Sequence, residues 1–206
     1  MAKDVLSQWI NPAYNSPASL AGRYRGAKPF PYISLTGFLQ EDKAEALAEA
    51  LSSQSFERKE SDLFLLHQTK DLTHAEDKTI KAFSEFLRSK EFSAYMKAIT
   101  GVRLTNASLD LAGALYTDTN YLLCHDDQLT GRKIAFILYL CPQFAEKDGG
   151  ALALRSDKKG SPGPVVKRLY PTWNTLNFFT VSKESWHEVE EVLADKPRLS
   201  IGGWLH

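Results

Sequence analysis

Cysteine is scarce in this chain: there are two in 206 residues, Cys124 and Cys141. Two thiols make neither a disulfide framework nor a four-cysteine zinc site. Both fall in segments that pattern as strands, which predicts buried free thiols and a reducing compartment, the cytoplasm and also the nucleus. Long hydrophobic runs are missing as well. The longest, Ile134 to Cys141, is far shorter than the roughly 20 apolar residues of a membrane-crossing helix. The opening Met-Ala-Lys-Asp lacks the apolar core of a secretion signal, so no membrane partner is expected. Neither sign of charge is in excess: 25 Lys plus Arg stand against 25 Asp plus Glu. With no overall field and no basic stripe, direct nucleic-acid binding is not expected. No internal repeat or low-complexity tract interrupts a chain whose length suits one domain with a sizeable core.

Residues 1–28 carry Asn11-Pro12, Ser16-Pro17, Gly22 and Gly26 and read as an irregular lead-in, with Trp9, Ile10 and Tyr14 packing down. Residues 29–206 read as a single domain, with helical support over 29–103 and a β core over 104–206. A short strand is predicted at 29–35 and another at 62–68. Residues 41–53 place Ala44, Leu47, Ala48 and Leu51 on one helical stripe. Two more helices follow at 78–88 (Ile80, Phe83, Leu87) and 91–100 (Phe92, Tyr95, Met96, Ile99), the latter stopped by Gly101.

From Leu104 onward the texture changes to strands: 104–116, 120–127, 133–141, 150–155, 164–170, 174–180, 185–190 and 197–204. Eight short strands separated by Gly, Pro and Asp turns fit an α+β, mainly β fold. Its core is a double-stranded β-helix, or jelly roll, buttressed by the N-terminal helices.

The chemistry concentrates at His125-Asp126-Asp127. In a strand, residues two apart face the same side. That phase unites Tyr121, Leu123, His125 and Asp127: if His125 faces the interior, Asp127 does too, and Asp126 faces away. His187, 60 residues beyond Asp127, arrives on a late strand. Two imidazoles and one carboxylate on one face of a metal, with positions left open, is the arrangement of non-haem iron(II) oxygenases. In the last strand Arg198, Ser200, Gly202 and Trp204 share a phase. An inward Arg is costly unless paired, and its planar fork suits a carboxylate cosubstrate, with Ser200 as a second donor. The competing placement is a surface Arg198 paired with Asp195 or Glu191. Tyr139 lies in an all-apolar central strand, where a phenol needs a hydrogen-bond partner.

These residues resemble the iron(II)- and 2-oxoglutarate-dependent prolyl hydroxylases. The stretches that carry the likeness are YTDTNYLLCHDD at 116–127, GRKIAFILYL at 131–140, Gly149-Gly150 and SWHEVEEVLADKPRLSIGGWLH at 185–206, with PFPYISLTGFL at 29–39 upstream. They are most similar to the eukaryotic branch acting on a proline of a small-subunit ribosomal protein. The resemblance implies Fe(II), 2-oxoglutarate and O2 as cofactor and cosubstrates, with ascorbate as a stimulant. It implies His125, Asp127 and His187 as iron ligands, and Arg198 and Tyr139 on the distal carboxylate of 2-oxoglutarate. Tyr116 would bond the cosubstrate or substrate, Leu152, Val189 and Trp204 would line the pocket, and residues 128–133 would form a mobile loop over the target proline. The partner it implies is a proline-bearing ribosomal or other translation protein. That branch usually carries a second, degenerate β-helix domain after the catalytic one, which would follow His206. Three other readings remain open on the residues alone: an oxygenase of a small molecule, a non-catalytic jelly-roll binding module, and a cupin-like enzyme using another metal.

Overall fold

A computed structural model of the protein describes residues 5–105 and 108–206. Residues 1–4 of the expected lead-in and 106–107 of the expected strand 104–116 lie outside the described residues. The helices are α1 (Val5–Trp9), α2 (Pro17–Gly26), α3 (Glu41–Ser52), α4 (Lys78–Leu87) and α5 (Lys90–Thr100). The strands are β1 (Tyr32–Thr36), β2 (Glu57–Ser61), β3 (Phe64–Gln68), β4 (Leu109–Tyr116), β5 (Tyr121–His125), β6 (Ile134–Tyr139), β7 (Leu152–Asp157), β8 (Pro162–Leu169), β9 (Thr175–Thr180), β10 (His187–Val189) and β11 (Arg198–Leu205).

The eight expected core strands are β4 to β11, and their hydrogen-bonded order is that of a jelly roll. β9-β6-β11-β4 form one antiparallel sheet and β5-β10-β7-β8 the other. β3 joins the two, pairing with β4 through His67 and Gln68 and with β5 through Phe64 and Leu65. β2 hangs on the other edge of β3. Its sequence, ERKES, has no apolar alternation, so only its hairpin with β3 makes it a strand.

The residue phases explain which face each sheet turns inward. On β11, Leu199, Ile201 and Leu205 join the large core beneath the helices, while Arg198, Ser200, Gly202 and Trp204 face the other way. On β9, Leu176 and Phe178 enter that same core, and Phe179 packs with Leu152, Leu154 and Ala135 inside the roll. The helices seal the outer face of the larger sheet through Leu47, Leu51, Ile80, Phe83 and Ile99. Asp77 caps α4 by accepting from the amides of Thr79 and Ile80, and Ser89 caps α5. Gly101 ends α5 in the left-handed conformation, φ 79°.

The lead-in is more ordered than its turn residues suggest. Pro17 sits in the first turn of α2, where a proline costs nothing because that N–H has no helical partner. Leu20, Ala21 and Tyr24 are buried on one side of α2. The Tyr24 hydroxyl accepts from the Thr180 amide at 2.9 Å and its ring stacks on Phe178, fastening α2 to the sheet. Gly22 and Gly26 are simply tolerated within the helix, and this is why a reading from turn residues misses it.

One backbone position can be tested directly. Gly149 has φ +65°, and a Cβ there would lie 2.0 Å from the Glu191 carbonyl oxygen. Gly149→Ala is expected to cost about 2 kcal/mol, lowering the thermal midpoint by roughly 4–8 °C in circular dichroism. An unchanged midpoint would contradict the constraint.

Candidate active site

Three ligand-bearing segments converge at one end of the roll. β5 ends on His125, and β10 begins on His187 directly opposite it in the antiparallel ladder. The two imidazoles lie 4.2 Å apart by ring centroid. Asp127 joins them by a route that the strand phase does not give. The strand stops at His125, and Asp127 adopts φ 63°, a left-handed turn that aspartate tolerates better than most residues. Its Oδ1 lies 3.4 Å from His125 Nε2 and its Oδ2 3.2 Å from His187 Nε2. Asp126 turns away, accepting from the amide and side chain of Gln128.

The tautomers follow from the partners. His125 Nδ1 bonds the Leu123 carbonyl and His187 Nδ1 the Ser185 carbonyl, each at 2.8 Å. A carbonyl only accepts, so each Nδ1 carries hydrogen and each Nε2 faces the Asp127 carboxylate. Burial pushes the Asp127 carboxyl up, but the adjoining His125 and His187 rings outweigh it and hold the group well below the usual carboxylate range. Burial pulls His125 down, and Asp127 more than reverses that, leaving His125 raised. One donor atom from each of the three residues falls within 4.8 Å of the others. Two neutral nitrogens and a carboxylate so placed could hold a divalent metal, and the N,N,O set suits iron.

A cavity of about 460 Å³ opens beside this triad, lined among others by Leu122, Ile137, Phe179, Leu152, Val189 and Trp204. Tyr116 and Ser200 also line it, whereas Arg198 and Tyr139 sit behind the lining. Both are wholly buried, which rules out the surface placement of Arg198 beside Asp195 or Glu191. Arg198 Nε donates to the Gly150 carbonyl at 2.7 Å, and Nη2 to the Tyr139 hydroxyl at 2.9 Å. Its guanidinium carbon lies 4.7 Å from the Tyr116 ring centre and 4.9 Å from that of Tyr139. Nη1 is buried and has no hydrogen-bond partner. Among the described residues no carboxylate pairs with this cation. A buried guanidinium without a counter-charge costs on the order of several kcal/mol, so the arrangement calls for an anionic ligand. Burial raises Tyr116 to about 12, against the opposing charge of Arg198, and it raises Tyr139 in the same way. Both phenols therefore stay neutral donors. Ser200 contributes less than its phase suggests, its hydroxyl reaching only the Ala114 carbonyl at 3.4 Å.

Two neighbours escape a reading from motifs. Arg132, in the 128–133 segment, lays its guanidinium 3.3 Å over the Trp204 ring and brings Nη1 within 3.9 Å of Asp127 Oδ1. Phe179 meets the His187 ring edge-on at 4.7 Å. Lone arginines and phenylalanines carry no spacing signal, so only the fold reveals them. His67 and His206, which surface placement would suit by default, are partly buried, with His206 only 15% exposed, while His74 is exposed.

The fold and this site define the class. Residues 111–206 match the 2OG-Fe(II) oxygenase superfamily. The superfamily's cofactor and cosubstrates are Fe(II), 2-oxoglutarate and O2, and the donor set and the partnerless Arg198 Nη1 fit the first two. Among characterised proteins, the chain is 44% identical over 181 residues to prolyl 3-hydroxylase OGFOD1 of Xenopus laevis, covering 86% of this chain and 35% of that protein. It is 40% identical over 209 residues to the Mus musculus protein of that name, covering 100% and 37%. The chain thus spans little more than a third of the length of these relatives. In fold it is similar to a Pseudomonas putida prolyl-4-hydroxylase, with a TM-score of 0.73 at 17% identity over 93% of this chain and 98% of that one. No described helix is long and apolar enough to cross a membrane.

Protons and metal compete for the same Nε2 atoms. Because Asp127 raises His125 above its ordinary value of 6.5, a proton competes there more strongly than at an unperturbed imidazole. The affinity for Mn(II), measured by anaerobic calorimetry, is expected to fall steadily from about pH 8 to about pH 6. A flat profile would contradict the assignment of His125 Nε2 as a metal donor.

Proposed function

We propose that the chain is a prolyl hydroxylase that uses Fe(II) and 2-oxoglutarate to place hydroxyl on a proline ring of a protein substrate. The observation that carries this reading is Arg198: a fully buried guanidinium with Nη1 free, behind the cavity that holds the triad. The relatives' names support prolyl chemistry at ring carbon 3. The substrate class we infer is a small-subunit ribosomal protein or another translation protein, met in the cytoplasm or nucleus.

His125, Asp127 and His187 would hold the iron. When bound, the metal supplies the activation of O2, coupled to 2-oxoglutarate decarboxylation, that oxidises an unactivated C–H bond. The chain's own residues supply position and exclusion of water. Arg198 Nη1 and the Tyr139 hydroxyl receive the distal carboxylate of 2-oxoglutarate. Tyr116, kept neutral, donates toward the cosubstrate, and Ser200 offers a weaker contact. Leu122, Ile137, Phe179, Leu152 and Val189 form an apolar wall that keeps solvent from the reacting atoms. Trp204 and the 128–133 segment border the entry for the proline.

Succinate formation from 2-oxoglutarate, measured with Fe(II), ascorbate and a panel of proline-bearing peptides from translation proteins, tests this reading. One peptide is expected to gain the mass of one oxygen at a single proline, localised by mass spectrometry. His125→Ala should abolish that gain and Asp126→Asn should retain it. Arg198→Met should raise the 2-oxoglutarate requirement by at least about tenfold, a loss of about 1.4 kcal/mol in binding, with little change in Mn(II) affinity. Succinate without any peptide product would move the reading to a small-molecule oxygenase. Metal binding without turnover would move it to a binding module.

A further inference from the structure

The two distant parts of the metal site are joined through one small residue. Ser185 is completely buried, in the turn that leads into β10. Its carbonyl oxygen accepts from His187 Nδ1 at 2.8 Å, which fixes that imidazole with Nε2 toward Asp127. Its hydroxyl faces the other ligand segment. Oγ lies 3.2 Å from the Asp126 carbonyl oxygen and 2.7 Å from that of Ser182, and it accepts from the Ser182 amide at 3.0 Å. The single hydroxyl proton is therefore shared between two carbonyls.

The Asp126 carbonyl belongs to the peptide unit whose nitrogen is that of Asp127. The orientation of that unit sets φ of Asp127, which stands at 63°. A left-handed non-glycine residue is strained unless its surroundings hold it. Asp126 and Asp127 lie just beyond the end of β5, so no sheet ladder fixes this peptide. The Ser185 hydroxyl bonds its carbonyl instead.

We propose that Ser185 is a positioning residue that couples Asp127 to His187, setting the backbone of one through its hydroxyl and the ring of the other through its carbonyl. The proposal rests on the reading of His125, Asp127 and His187 as metal ligands. Groups beyond the ligands commonly tune metal affinity by 10–100-fold, and here one residue serves two ligands. The Ser185 carbonyl survives substitution, so Ser185→Ala removes the hydroxyl alone, with its link to Asp126 and its bonds within the turn to Ser182.

The experiment compares wild type, Ser185→Ala and Ser182→Ala by anaerobic Mn(II) calorimetry, by the visible absorption of the Co(II)-loaded protein, and by thermal unfolding without metal. Ser182→Ala removes a hydroxyl that caps the same turn at the Glu184 amide but does not reach Asp126. Ser185→Ala is expected to weaken Mn(II) binding at least about tenfold and to alter the Co(II) bands, whereas Ser182→Ala leaves both near wild type. Equal losses in the two variants, or unchanged affinity and spectrum in Ser185→Ala, would overturn the proposal. If Ser185→Ala does not fold, Ser185→Thr keeps the hydroxyl and Ser185→Cys has a weak donor; the Cys variant must then bind Mn(II) more weakly than the Thr variant, and equal affinities would overturn the coupling. A wild-type chain that binds no Mn(II) would overturn it together with the metal-centre reading, whereas wild-type binding with an unaffected Ser185→Ala overturns it alone.

Discussion

A cation buried without a counter-charge is the constraint on which this structure turns. Arg198 is inside the roll, held at Nε by the Gly150 carbonyl and at Nη2 by the Tyr139 hydroxyl. Nothing neutralises it among the described residues. Neutral donors and aromatic faces make such a group tolerable, but only an anion makes it favourable. The fold is arranged around that need. β11 pairs Arg198 with Tyr116 on β4, and β6 sets Tyr139 across from Ser200 one rung along. The left-handed Gly150 lies close enough that a Cβ there would stand 3.2 Å from Arg198 Cδ. The pocket for the anion is therefore a property of strand register, shared by three adjacent strands of one sheet.

The candidate metal site answers to the opposite sheet. His125 and His187 face each other across β5 and β10, and the Arg155–Glu188 ion pair clamps the outer side of β10. Asp127 arrives from a turn. The ladder thus places two of the candidate ligands, while a local hydrogen-bond network around Ser185 borders the third. Held between the two sheets, the cavity can receive one end of a dicarboxylate on the metal and the other on Arg198. This division of labour is what a jelly roll permits: residues from two facing sheets converge on one cavity.

Much of this was legible in the residues, because the informative features are periodic. The eight core strands are marked off by Gly, Pro and Asp turns, and each of them appears in the fold within a few residues of its predicted ends. The stripes of α3, α4 and α5 are equally plain, since their apolar positions recur at helical spacing. Features without a period were hidden. α2 has a Pro-led start and two glycines, and only its contacts with Phe178 and Thr180 make it stable. β2 is a charged strand made by its partner. The His125–Asp127 pairing is the most instructive case. Strand phase groups both with Leu123, yet Leu123 is exposed and Leu122 lines the cavity, because β5 carries one extra residue opposite β10 between Leu122 and His125; Asp127 then turns in beyond the strand end through a positive φ. Arg132 over Trp204, and Ser185 between the ligands, are tertiary facts that no spacing encodes.

The most direct measurement is a crystal structure of the protein loaded with Mn(II) and 2-oxoglutarate without oxygen. The account predicts metal bound by His125, Asp127 and His187, and a carboxylate oxygen within hydrogen-bond distance of Arg198 Nη1 and the Tyr139 hydroxyl. A 2-oxoglutarate bound elsewhere, or an Arg198 that keeps Nη1 unpaired while the metal site is filled, would contradict it.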